Sequence, residues 1–118
     1  GRHGLEVFLI LCAFLLMFPN SVFLNRGNHE CDAVNRTYGF FAEVMHKYEA
    51  SQQMLYEQVQ RVFACLPLVY VINASIVVVH AGLSYEPDVT LKEIQALDRK
   101  SLARAMSQNR ISSKTRAE

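Results

Sequence analysis

In two places this chain sets chemically competent side chains directly after a short apolar run. In Leu24-Asn25-Arg26-Gly27-Asn28-His29-Glu30, an amide, an imidazole, a guanidinium and a carboxylate crowd around one glycine. In His80-Ala81-Gly82, an imidazole follows the β-branched run Ile76 to Val79. A strand that runs out into a small-residue turn lets backbone and side chains come close to a ligand, and α/β folds place much of their chemistry at such strand ends. Asn28 offers a neutral amide oxygen and His80 an imidazole nitrogen, donor types that suit Mn, Fe or Zn. His29, beside Asn28, must point elsewhere and could reach a substrate while its neighbour holds a metal. Plainer readings stand next to these. A histidine after a strand can be a hydrogen-bonded structural group, and Arg26 and Glu30 can pair across the turn to fix the loop.

The elements that must position these residues follow from periodicity. Leu5 to Phe18 is almost wholly apolar and stops at Pro19, the length of a buried helix and short of the about 20 residues a membrane span needs. A secretory reading of Val7 to Phe18 after Arg2 and His3 lacks a small-residue cleavage site. Ser21 to Asn25 reads as a short buried strand. Asp32 caps a helix from Ala33, with Val34, Tyr38, Phe41, Val44, Met45 and Tyr48 at helical spacing and Gly39 marking a close contact or a kink. Ser51 to Cys65 is a further helix, broken at Leu66-Pro67. Leu68 to Ile72 and Ile76 to Val79 form a hairpin around Asn73-Ala74-Ser75. Thr90-Leu91-Lys92-Glu93 is a capping box that starts a helix running toward Arg99 or beyond.

Composition bounds the rest. The chain has 118 residues, 51% hydrophobic and 19% charged, so it is an ordered globular chain of one domain at most. A formal charge of +1 supplies no global field for nucleic acid or an anionic membrane, and neither is expected as a partner. Cys12, Cys31 and Cys65 have no CxxC spacing and read as reduced thiols of a cytoplasmic protein. The sequons Asn35-Arg36-Thr37 and Asn73-Ala74-Ser75 are chance matches in that setting. Residues 1–100 carry the patterned part, and 101–118 form a polar basic tail or the start of an insertion.

Leu24 to Glu30 resembles the RGNHE signature of the serine/threonine phosphoprotein phosphatases, the calcineurin-like metallophosphatase family. Three further motifs follow in the family's order: Asn35 to Phe40 resembles N-x-x-YGF, Cys65-Leu66-Pro67-Leu68 the LP segment before a strand, and His80-Ala81-Gly82-Leu83 the HGGL motif. The resemblance implies an α/β fold, the central part of a calcineurin-like metallophosphatase β-sandwich flanked by helices. It implies Asn28 and His80 as ligands of the second of two divalent metal ions (Mn2+, or Fe with Zn) and His29 as the proton donor to the leaving serine or threonine oxygen. The substrate it implies is a phosphoprotein. Asn25 to Glu30 and His46-Lys47-Tyr48 look most like the EF-hand-carrying branch, and the branch with tetratricopeptide repeats is also similar. Such regulatory domains are therefore expected partners in a longer protein.

The chain departs from the family's pattern in what surrounds these motifs. Gly1 aligns with the last glycine of GDxVDRG, so the motifs expected to supply the first metal's ligands, a phosphate-binding arginine and the carboxylate behind the proton donor do not appear, and neither does the LWSDP segment. Ala81 stands where HGGL has glycine. The chain reads as the middle of a partial catalytic domain, of low activity and low solubility by itself, with the apolar face of Leu5 to Phe18 left without partners. The competing reading is a non-catalytic remnant of the same fold acting as a scaffold.

Overall fold

Apolar patterning decides where most of the helices lie, and the short breaks at 38–39 and 48–51 decide how α2, α3 and α4 turn on one another. The computed structural model describes residues 2–99 and 101; the remaining expected tail lies outside the described residues. The elements are α1 (Gly4–Met17), α2 (Asp32–Thr37), α3 (Phe40–Lys47), α4 (Gln52–Cys65), β1 (Val69–Ile72), β2 (Ile76–Val79) and α5 (Leu91–Ala96). Helix α4 carries most of the core: Tyr56, Val59 and Phe63 are buried on one face, against Leu5 of α1 and Val44 of α3, with Phe8, Phe40, Phe41 and Met45 packed around them. Ring contacts organise the seam, Phe8 meeting Phe63 edge-on at 4.9 Å and Phe41 meeting Tyr56 at 4.9 Å.

Helix α1 is buried only at its start. Leu5 is inaccessible, but Ile10, Phe14, Leu16 and Met17 are exposed, Leu16 to 81%. A helix apolar all round needs neighbours on every side, and among the described residues α1 has them on one side only, as expected for a partial domain. No helix among the described residues is long and apolar enough to cross a membrane.

The expected single helix from Ala33 to Tyr48 is two. Cys31, not Asp32, is the N-cap of α2, and Asp32 turns its carboxylate to Arg36 and to the Tyr56 hydroxyl instead. Gly39 ends α2 and caps α3 with φ +90°, a left-handed backbone that costs residues with a Cβ about 1–2 kcal/mol. No atom lies within 4 Å of its missing Cβ, so glycine is required here by backbone conformation and not by a close contact. The break turns α3 so that Phe41 and Val44 face α4, while Tyr38 stays exposed.

β1 and β2 pair antiparallel in the register Val69↔Val79 to Ile72↔Ile76, as the sequence pattern predicts. Asn73 and Ala74 both have positive φ, 50° and 52°, closed by Ser75 N–H donating to Ile72 O at 3.0 Å. This is the twist a tight antiparallel turn needs. Asparagine adopts it readily, and alanine does so at a cost of about 1–2 kcal/mol. Ala74→Gly is therefore expected to raise stability by about 1 kcal/mol, read from the urea unfolding midpoint, and an unchanged midpoint would count against the turn as drawn. The predicted strand Ser21 to Asn25 is a correction: that segment runs beside β1 without a ladder, because strand character needs repeated backbone pairing and the segment's links are Tyr70 hydroxyl to Leu24 O, Asn25 Nδ2 to Val78 O and a Phe23–Tyr70 ring contact. The capping box forms as expected, with Thr90 Oγ1 accepting from Glu93 N and Glu93 Oε2 accepting from Thr90 N at 2.8 Å. Helix α5 stops at Ala96, short of the expected Arg99.

Candidate functional site

The turn from Asn25 to Glu30 is held to the hairpin at its entrance. Arg26 N–H donates to Pro67 O at 2.8 Å and Asn25 Nδ2 to Val78 O at 3.1 Å, so the turn lies over the end of β2, where His80 follows. Inside the turn the expected Arg26–Glu30 pairing takes another form. The guanidinium donates through Nε and Nη2 to the Glu30 backbone carbonyl, at 3.1 and 3.0 Å. The Glu30 carboxylate accepts from Gly27 N–H at 2.7 Å. These bonds close a ring around Asn28 and His29 and leave both side chains outside it.

Asn28 and His80, 52 positions apart in the sequence, come together with Oδ1 and Nε2 at 3.1 Å. Both are exposed. Gly27 makes room for this meeting: a Cβ there would sit 2.6 Å from Glu30 Oε2 and 3.1 Å from the His80 ring, too close for either to stay in place. An amide oxygen only accepts, so the bond requires the proton on His80 Nε2. With that proton released, the same two atoms present lone pairs 3.1 Å apart. Two donors at right angles, each about 2.1 Å from one cation, lie about 3 Å apart, so the pair fits adjacent positions on one ion. Among the described residues no three His, Cys, Asp or Glu side chains gather as a metal-binding group.

His29 lies with the helices. Its ring contacts the Tyr38 ring at 5.0 Å between centroids, and it lines a groove of about 450 Å3 with Tyr38, Val7, Phe8 and Leu11. Neighbouring residues in the chain thus serve different surroundings, Asn28 the hairpin end and His29 the helical side. The main chain under His29 is fixed by Asn35, whose Nδ2 donates to His29 O, while Gln60 Nε2 donates to Asn35 Oδ1. Sequence reasoning noticed Asn35 only as a motif letter and a sequon, and did not single out Gln60. The signal that could have found Asn35 is a polar residue on the inward face of a short helix, where Asn35 is 4% exposed. Its amide nitrogen is engaged within the fold.

Comparisons with known proteins place the chain among related sequences and structures. Residues 1–114 match the profile of the calcineurin-like phosphoesterases. The chain is similar to the serine/threonine-protein phosphatase rdgC of Drosophila melanogaster, 42% identical over 99 residues, covering 84% of this chain and 15% of that protein. It is also similar to the mouse serine/threonine-protein phosphatase with EF-hands 2, 40% identical over 106 residues, covering 90% of this chain and 14% of the relative. A solved protein serine/threonine phosphatase from Saccharomyces cerevisiae, described as similar to human phosphatase PP5, superposes with a TM-score of 0.76 at 38% identity, covering 84% of this chain and 30% of that one. The chain therefore spans about a seventh of the length of the two curated relatives.

Proposed function

The chain belongs to the calcineurin-like phosphoesterase family, and on that premise we propose that it supplies part of the catalytic centre of a metal-dependent protein serine/threonine phosphatase. Asn28 and His80 would hold one of two divalent cations, Mn2+ or Fe with Zn. When bound, such cations supply Lewis-acid stabilisation of the charge on the phosphoryl oxygens and activate the attacking water. His29 contributes a proton. As water adds to phosphorus and the bond to the serine or threonine oxygen breaks, the imidazolium protonates that oxygen, which leaves as a neutral hydroxyl. The turn contributes rigidity, since the Arg26 and Glu30 bonds hold the backbone on both sides of Asn28 and His29.

The observation that carries this reading is the meeting of His80 at 3.1 Å with Asn28, one position before His29 in the sequence, in a chain of this family. The test is calorimetric titration of the full-length protein with Mn2+, together with hydrolysis of a phosphoserine peptide. Removing even outer-shell partners of a metal costs about 10–100-fold in affinity, so His80→Ala is expected to weaken Mn2+ binding by roughly 100-fold or more. Unchanged binding would remove His80 from the site. The relatives' names support regulatory domains, EF-hands in one of them, as partners of this segment in the whole protein. A phosphoprotein substrate and a cytoplasmic location complete the proposal.

A further inference from the structure

The amide pair behind His29, buried Asn35 and half-buried Gln60, goes beyond ligands and proton donor. Asn35 is 4% exposed, and both ends of its side-chain amide are used, one on His29 O and the other on Gln60 Nε2. Chemistry fixes the direction of this relay. The carbonyl of His29 can only accept, so Asn35 must turn its NH2 toward it. Its oxygen is then left buried and needs a donor, which the Gln60 amide provides. Gln60 stands on α4, whose Tyr56, Val59 and Phe63 are the centre of the core.

We propose that Gln60, acting through Asn35, is a positioning residue for His29, tying the main chain at the proton donor to the core helix. The inference rests on the reading of His29 as proton donor. The other restraints on the turn stop short of His29: Arg26 grips Glu30 O, and the Glu30 carboxylate grips Gly27 N–H. Among the described residues the His29 ring nitrogens make no hydrogen bond, and the ring's aromatic neighbour Tyr38 is itself 71% exposed. The backbone anchor therefore sets where the ring stands, while both nitrogens stay available for proton transfer.

The experiment uses the full-length protein and two substrates that differ in their need for an acid: a phosphoserine peptide, whose alkoxide leaves poorly, and 4-nitrophenyl phosphate, whose phenolate leaves readily. Gln60→Met keeps the length and volume of the side chain and removes the donor. It is expected to lower kcat on the peptide by about tenfold or more with KM unchanged, while the aryl phosphate changes by less than about threefold. Gln60→Glu, which faces Asn35 Oδ1 with an acceptor, gives the same selective loss and serves where the Met variant melts too low to assay. In a His29→Ala background neither change has a further effect on the peptide. Wild-type rates for both Gln60 variants, or equal losses on both substrates, would overturn the positioning role. The underlying reading fails separately, if His29→Ala itself slows both substrates equally.

Discussion

His29→Ala in the full-length protein is expected to lower kcat on a phosphoserine peptide by about 10²- to 10⁴-fold, the range general acid catalysis contributes. The reason lies in the leaving group. A serine oxygen expelled without a proton is an alkoxide about as basic as hydroxide, and so a poor leaving group. A proton delivered as the bond breaks removes that charge. The two histidines are divided between the tasks: His80 Nε2 is engaged with Asn28 Oδ1 at 3.1 Å and is assigned to the metal, and His29, whose ring makes no such bond among the described residues, is assigned to the leaving group. KM for the peptide should change far less than kcat, because the proton is transferred only in the transition state. Mn2+ titration of the same variant should match wild type. A His29→Ala protein that lost metal and activity together would move His29 among the ligands and out of the acid role.

The second large effect is structural and sits under α1. Glu43 on α3, its side chain 7% exposed, accepts from the Gly4 and Leu5 backbone N–H groups at 3.1 and 3.0 Å, and from Lys47 Nζ at 2.9 Å. It thereby caps the start of a helix that has no side-chain cap of its own. Glu43→Ala leaves the part-buried Gly4 and Leu5 N–H groups unpaired and is expected to cost about 2 kcal/mol. Urea unfolding reads this loss, and amide hydrogen exchange at Gly4 and Leu5 locates it. Burial pushes the Glu43 carboxyl up, but the Leu5 N–H, the Lys47 ammonium and the Gly4 N–H outweigh it, and its pKa falls below the ordinary 4.5. A carboxylate held lower in the folded state stabilises the fold when ionised. The stability difference between wild type and Glu43→Gln should thus be complete above pH 4.5 and shrink as pH drops through the lowered folded-state value. A difference independent of pH down to acid would contradict the charged cap.

How much of this the sequence reveals depends on the range of the interaction. Helices α1 and α4, the hairpin and the Thr90 capping box were legible because each is written in residues a few positions apart: apolar spacing, β-branched runs, and a threonine three residues before a glutamate. The candidate residues Asn28, His29 and His80 could be singled out because polar side chains there crowd against small residues after apolar runs, and because the RGNHE-like stretch resembles a known family. Other features turn on partners far away in the chain. Ser21 to Asn25 has strand composition, yet pairing is a property of two segments, and here the hairpin gives it isolated bonds in place of a ladder. The division at Gly39 depended on α3 having to turn its Phe41 and Val44 toward α4, which periodicity alone does not express.

The sequence by itself therefore determined the inventory: which side chains could do chemistry, which stretches form helices, and the family they come from. Tertiary structure alone decided the assembly. It brought Asn28 within 3.1 Å of a histidine 52 positions away, turned Arg26 from the Glu30 carboxylate to its carbonyl, and set Asn35 and Gln60 behind His29. The physical reason is that a donor or acceptor carries no record of its partner in its own residue type. Burial presses a polar group such as the Asn35 amide to find one, and only the way α2 and the turn meet α4 settles which.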